Sequence, residues 1–162
     1  MSTAAAGMHD DDLSSAEELE ESPPLTRMAI ALLALAGLVI SAYLTMYKVG
    51  LLGEIQCTIG GCEKVQTSRW SAFLGLPVSA WGLGAYITLL GLAILGLQPR
   101  FVRERWVALA LFGLSAVGVV FSAWLTYLEA FVIHAWCQWC VISAILITLI
   151  FLLSLPGLRQ AR

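Results

Sequence analysis

The sequence predicts an all-α integral membrane protein, a four-transmembrane-helix bundle with an outward-facing cysteine loop and a short surface helix between spans 1 and 2. Of its 162 residues, 59% are hydrophobic and only 12% are charged, which is far from the composition of a soluble domain. Charged residues divide the apolar sequence into four runs, each long enough for the ~20 helical residues that cross ~30 Å of hydrocarbon. Because these runs lack the alternation of barrel strands, we expect helical spans.

The first segment, residues 1–24, is predicted to be a disordered acidic tail. Seven of the eleven acidic residues lie within its first 21 positions, and Pro23 and Pro24 close it. Such a composition is typical of a solvated, unfolded segment. The segment lacks the basic start of a cleavable signal peptide, so the first apolar run is expected to remain as a membrane anchor.

A four-helix membrane domain is predicted over residues 25–158. Its spans are expected at about 28–47, 76–98, 106–128 and 135–155. Small residues scattered through the spans favour close helix packing. Glycines mark the loop after the first span, and the stretch "EKVQTSRWSAF" that follows predicts a short amphipathic surface helix. No Asp, Glu, Lys or Arg interrupts the predicted spans, which disfavours a transporter.

Basic residues predict how the bundle is oriented in the membrane. Four spans place both ends of the chain on one side, and Lys48, Lys64 and Arg69 fall on the other side. The terminal side carries six arginines: Arg27, Arg100, Arg103, Arg105, Arg159 and Arg162. The positive-inside rule therefore places the tail, the loop between spans 2 and 3 and the C-terminus, 159–162, in the cytoplasm. All four cysteines are then expected on the extracytoplasmic side.

The four cysteines form two pairs with different settings. Cys57 and Cys62 lie on a glycine-rich loop, whereas Cys137 and Cys140 form a C-x-x-C at the start of the last span. Residues three apart share a helix face, and a helix N-terminus favours a thiolate, although burial opposes the charge. The loop pair can bridge to each other or exchange with another sulfur through mixed disulfides. These settings indicate a relay that passes electrons from a soluble partner, through the loop pair, to the helical pair.

Other interpretations of these residues remain open. The cysteines could form structural disulfides or bind a zinc ion. We expect that they bind no metal. A relay would need a two-electron, two-proton acceptor in the bilayer, which is a quinone. Aromatic residues could line its pocket or anchor the protein at the membrane interface: Trp70, Trp81, Trp136 and Trp139. Glu129 could relay protons to a reduced quinone or be a solvated residue of the outer turn. We find no basic patch for nucleic acid.

These motifs resemble the vitamin K epoxide reductase (VKOR) family, specifically its bacterial members. The likeness covers roughly residues 25–155, through "SAYLT", "CTIGGCEKVQTSRWSAFLGLPVSAWGLGAY" and "YLEAFVIHAWCQWCVISA". The loop pair precedes the C-x-x-C, which separates the chain from DsbB, whose C-x-x-C lies in its first periplasmic loop.

The resemblance implies a role for each cysteine. Cys57 would receive electrons from a reduced thioredoxin-fold partner, Cys62 would pass them inward by attacking Cys137, and Cys140 would lie next to the quinone. Ser68 falls on a serine that the family uses in or near the quinone pocket, and the other interpretation is a capping or surface serine. The implied protein is a quinone-dependent thiol–disulfide oxidoreductase of the bacterial inner membrane, surrounded by lipid, that reoxidises a DsbA-like partner using ubiquinone or menaquinone.

The chain departs from parts of the family pattern. It ends at Arg162, without the thioredoxin-like domain that is fused in some relatives, so the partner is expected to be a separate protein. Ala144 occupies the position of a tyrosine in the animal enzymes, which puts anticoagulant binding and epoxide reduction in doubt. The alternatives are a vitamin K quinone or epoxide reductase, and a non-catalytic membrane subunit with structural disulfides.

Overall fold

The computed structural model describes residues 23–58, 60–101 and 104–160. The predicted acidic tail, except its last two residues, lies outside the described part of the chain. So do Arg103 and the last two residues of the predicted cytoplasmic C-terminus.

Four long helices dominate the fold, as the sequence predicts. They are α1 (Pro23–Lys48), α3 (Val78–Leu95), α4 (Arg105–Leu128) and α5 (Gln138–Gln160), and a short helix, α2 (Cys62–Thr67), lies between the first two. Each long helix has the length and apolar composition needed to cross a membrane. The protein is therefore a multi-pass membrane protein, with four spans in the described part of the chain.

The four spans form a closed ring of neighbours. Helix α1 packs against α3 and α5, and α4 packs against the same two helices. Their shared core contains these buried side chains: Ile30, Ala34, Tyr86, Leu89, Ala93, Val107, Leu111, Ile147 and Ile150. The outer faces carry exposed apolar residues such as Leu32, Val39 and Val120, as expected for helices that are solvated by lipid.

Small residues allow the helices to approach closely, as predicted. A Cβ atom added to Gly37 of α1 would lie 2.2–2.6 Å from ring atoms of Tyr86 in α3. A Cβ added to Gly118 of α4 would lie 2.7 Å from Ile147 Cγ1 in α5. These distances are shorter than any ordinary carbon contact, so glycine is required at both crossings.

The bounds of the spans differ from the predicted ones near the cysteines. Helix α3 begins at Val78 because Leu76 and Pro77 belong to a hairpin. At the same end of the bundle, α4 continues into a π-helical turn, Glu129–Ile133, and His134 then takes a left-handed conformation with φ 52°. The last span consequently begins at Gln138 rather than at position 135, and Cys137 immediately precedes it.

The segment between α1 and α3 is only partly the surface helix that the sequence predicts. Helix α2 ends at Thr67, and Ser68 takes an extended conformation while its hydroxyl donates to the Val65 carbonyl, 2.8 Å away. After a 3₁₀ turn, Arg69–Ser71, strands β1 (Ala72–Phe73) and β2 (Leu76–Pro77) form a hairpin. Leu74 and Gly75 make its turn with positive φ, which is the geometry of a tight hairpin turn.

A thiol–disulfide centre beside an apolar cavity

The loop pair forms a disulfide within the connection between α1 and α2. Cys57 and Cys62 are bonded to each other, with 6.2 Å between their Cα atoms. Gly60 and Gly61 lie between them with φ of 48° and 102°, a left-handed conformation that glycine adopts without steric cost. Cys62 is completely buried at the start of α2, whereas Cys57 is partly exposed. An external thiol therefore reaches Cys57 more easily than Cys62.

The second pair consists of two free thiols at the start of α5. Cys137 is fully buried and Cys140 is partly buried. The Cys137 carbonyl accepts the Val141 amide at 3.0 Å, the first hydrogen bond of the helix. A hydrogen bond with the Cys140 thiol lowers the pKa of the Cys137 thiol below its ordinary value, while burial and the nearby Glu129 charge act in the opposite direction. The Cys140 thiol therefore favours the thiolate form of Cys137.

The structure brings the two pairs together. Cys62, Val65 and Cys137 form one buried cluster, and Cys57 and Cys140 pack against it. The cluster joins a loop and a helix that are separated by more than seventy residues of sequence. All four cysteines that the sequence singles out therefore belong to a single site.

Hydrogen bonds hold the cysteine loop against the start of α5. The Trp139 indole donates to the Gln56 carbonyl at 2.8 Å, and the Thr58 amide donates to the Gln138 side chain at 3.1 Å. Gly61 lies so close to α5 that an added Cβ would be 3.2 Å from the Ala135 Cβ. The loop, which the sequence marks as flexible, is thus tied to the segment that carries the second pair.

Glu129 is part of the site and is not solvated, so the interpretation of it as a solvated turn residue is wrong. Its side chain is only 3% exposed, and its Oε2 atom accepts the Cys137 amide at 3.0 Å. One carboxylate oxygen and the sulfur atoms of Cys137 and Cys140 all lie within 4.8 Å of one another. The carboxylate belongs to the first residue of the π-helical turn Glu129–Ile133, which follows α4 directly.

A cavity of about 650 Å³ opens beside Cys140. Its walls are mainly apolar, with a few polar groups that include Ser68, Gln66 and Glu129. The volume and the lining of this cavity are typical of a pocket that binds a small organic molecule. Several wall residues, among them Gly84, Thr88 and Val117, are also exposed on the outer surface of α3 and α4, so the cavity reaches the lipid-facing side of the bundle.

The predicted pocket residues divide into two groups. Ser68, Trp70 and Trp81 line the cavity, and Ser68 also caps α2 through its bond to Val65. Trp136 and Trp139 are not among the cavity walls. Trp139 instead packs on Tyr43, with 5.3 Å between ring centroids. Two of the four tryptophans that were considered for the pocket wall therefore line the cavity.

Gln66 belongs to the site but was not singled out from the sequence. It is buried, and its side-chain amide nitrogen lies 3.9 Å from the Cys140 sulfur. Gln66 follows Cys62 by four positions, so the two share one face of α2. That spacing is the signal that would have identified it.

The cavity fits the head group of a quinone. Cys140 supplies a thiol in its wall, Trp70 and Trp81 supply aromatic surfaces, and Ser68 and Gln66 offer polar groups to ring oxygens. These five residues are those that would hold the group. A bound quinone would supply the two-electron, two-proton acceptor that oxidation of the dithiol requires.

In this bundle of membrane-spanning helices, a disulfide lies against a dithiol. Such a pair can transfer electron pairs between sulfur atoms by thiol–disulfide exchange. The fold and the site define a membrane thiol–disulfide oxidoreductase. The vitamin K epoxide reductase family model matches residues 28–155, and the chain belongs to this family. The match includes most or all of each span and both cysteine pairs, so the family's coupling of redox cysteines to a quinone agrees with the geometry.

Proposed function

We propose that the protein is a quinone-linked, disulfide-generating oxidoreductase that reoxidises a DsbA-like thioredoxin-fold partner in a bacterial inner membrane. The observation that carries the proposal is the buried cluster of Cys62 and Cys137. It links a disulfide that is partly accessible from outside to a dithiol of which one member, Cys140, lies on the cavity wall. Structural braces would need no such link and no free thiols.

The first stage of the proposed reaction takes place at the loop pair. A thiolate of the reduced partner attacks the partly exposed Cys57, forming a mixed disulfide and releasing Cys62 as a thiolate. The second partner thiol then attacks the mixed disulfide, so the partner leaves oxidised and Cys57 and Cys62 are left reduced. One electron pair has entered the protein, and no other oxidant is needed.

The second stage moves that electron pair to the helical pair. Cys62 attacks Cys137 of an oxidised Cys137–Cys140 disulfide and releases Cys140. Cys57 then attacks Cys62, which restores the loop disulfide and leaves Cys137 and Cys140 as thiols. The loop disulfide and the two free thiols of the structure correspond to the product of this stage. Cys140, in the cavity wall, is then the exit for electrons to the quinone.

The proposed placement in the membrane follows from the distribution of basic residues. Arg27 packs near Gly96 and Gly157, at the end of the bundle opposite the cysteines. With that end in the cytoplasm, the cysteine loop faces the compartment into which proteins are exported. The proposed division of the chain is a cytoplasmic tail, 1–24, a VKOR-like membrane domain, 25–158, and a cytoplasmic end, 159–162.

An anaerobic assay in detergent tests the proposal. Reduced DsbA-like protein is mixed with the purified protein and a quinone, and loss of quinone absorbance is followed. We expect turnover by the wild type and none by Cys57→Ala or Cys140→Ala, because each variant lacks one end of the relay. Thr148→Ala, an exposed change on α5, is the control and should retain activity.

A separate measurement locates the defect of each variant. Cys140→Ala should still form a mixed disulfide between the partner and Cys57, whereas Cys57→Ala should not. Full quinone turnover by Cys140→Ala would contradict the proposed exit. An inert wild type with four paired cysteines would instead favour the structural alternative.

A further inference from the structure

Glu129 is a buried carboxyl group with no role in the electron relay. It is 3% exposed, and it contacts both the helical cysteine pair and the cavity. Burying a carboxylate away from water is costly unless it is well paired. Because water does not solvate this carboxyl group, its presence requires a functional or structural reason.

Oxidation of the helical pair leaves protons to be disposed of. When Cys137 and Cys140 join, two S–H bonds break, one S–S bond forms, and two electrons and two protons leave. Reduction of a quinone to a quinol consumes two electrons and two protons. The protons that leave the sulfur atoms are thus equal in number to those that the quinone oxygens take up, and the cavity between them has mainly apolar walls with few groups that could carry a proton.

We propose that Glu129 carries these protons, an inference that rests on the function proposed above. Its carboxylate takes the proton of the Cys140 thiol, and the resulting acid gives it to a quinone oxygen in the cavity. The regenerated carboxylate then does the same with the proton of Cys137. Glu129 ends each cycle unchanged, the cysteines end as a disulfide, and the quinone ends as a quinol.

Two geometric facts support this role. One carboxylate oxygen lies within 4.8 Å of both sulfur atoms, which small side-chain movements convert to hydrogen-bond distance. Glu129 and Cys140 also line the same cavity, so a group that accepts a proton at the sulfur atoms can release it on the cavity side. Two negative charges this close in a buried site repel strongly, so the carboxyl group and a neighbouring sulfur are not both ionised at once, and a proton that leaves the thiol is accepted by the carboxylate.

A structural role makes a different prediction. The Oε2 atom of Glu129 accepts the Cys137 amide at the start of α5, and a helix N-terminus is stabilised by such an acceptor. Glu129→Gln keeps the size and an acceptor oxygen for this amide but cannot carry a proton at neutral pH. Glu129→Asp keeps a carboxyl group on a shorter side chain.

The test is the rate at which pre-reduced protein reduces a quinone in a single turnover, measured across pH. We expect Glu129→Gln to lose about 10²-fold or more, the usual contribution of an acid–base group, and to lose the pH dependence that the carboxyl group provides. Glu129→Asp should recover part of the rate. Exchange at the loop pair with the partner and the thermal midpoint should match the wild type in both variants.

Glu54→Gln is the matched control, because Glu54 is exposed on the cysteine loop, and it should leave every measurement unchanged. Retention of at least half the wild-type rate by Glu129→Gln would overturn the proton-carrier role. So would equal losses of loop-pair exchange and thermal stability, since these indicate a structural defect. A wild type that reduces no quinone would overturn both this inference and the proposed function.

Discussion

The contact between Gly61 and the start of α5 offers a direct test of how the two cysteine pairs communicate. Gly61 precedes Cys62 and has a φ of 102°. In Gly61→Ala, the new Cβ would lie 3.2 Å from both the Ala135 Cβ and the Trp136 carbonyl oxygen. The loop must move away by a few tenths of an ångström, and Cys62 moves with it.

The size of the effect follows from two contributions. A residue with a Cβ in the left-handed region costs about 1–2 kcal/mol, and tight packing against the Trp136 backbone, just before α5, adds about 1 kcal/mol. Only the second contribution acts on the contact between the pairs. Since ~1.4 kcal/mol in an activation free energy is a tenfold change in rate, exchange between Cys62 and Cys137 should slow about fivefold.

Gly50→Ala is the control that separates the two contributions. Gly50 has a φ of 80° and no atom within 4 Å of an added Cβ, so it carries the backbone strain without the contact. The assay reduces the loop pair, quenches the reaction with an alkylating reagent at set times and identifies the free cysteines by mass spectrometry. Equal exchange rates in the two variants would refute the argument that this contact positions Cys62.

Two further predictions concern packing and ionisation. Gly37→Ala should lower the free energy of unfolding by about 2 kcal/mol, because its Cβ would overlap the Tyr86 ring; unfolding in detergent measures this, and Gly91→Ala, which meets nothing within 4 Å, should show no comparable loss. Cys140→Ala should raise the pKa of Cys137, because it removes the hydrogen bond that lowers it. Thiolate absorbance during a pH titration of the reduced protein should then appear at higher pH than in the wild type, and an unchanged midpoint would contradict this cause.

The spans and the cysteine pairs could be predicted from the sequence because each depends on residues that are close together in the chain. Runs of apolar residues determine which segments enter the bilayer. The C-x-x-C of Cys137 and Cys140, with the glycines between Cys57 and Cys62, indicates paired thiols without any knowledge of the fold. Close helix packing can also be predicted from the sequence, because small residues such as Gly37 within a span allow another helix to approach.

The position of Glu129 could not be predicted in the same way. Helical periodicity assumes a constant rotation per residue, but the π-helical turn after Leu128 changes that rotation. The left-handed His134 then redirects the chain, so the carboxylate points inward from a segment that looks like an exposed turn. The end of α2 at Thr67 is a similar case, because the Ser68 hydroxyl and the Leu74–Gly75 turn outweigh the helical pattern of the stretch.

The exposure of cavity residues on α3 and α4 has a consequence for enzymology. A reactant with a hydrocarbon tail reaches this opening from within the lipid, so its relevant concentration is a mole fraction in the membrane phase. Adding empty micelles at constant total quinone dilutes that fraction without changing the bulk molarity. For the proposed quinone reaction, a Michaelis constant should therefore be expressed as a mole fraction in the membrane, and comparisons between detergents or vesicles require the partition coefficient of each quinone.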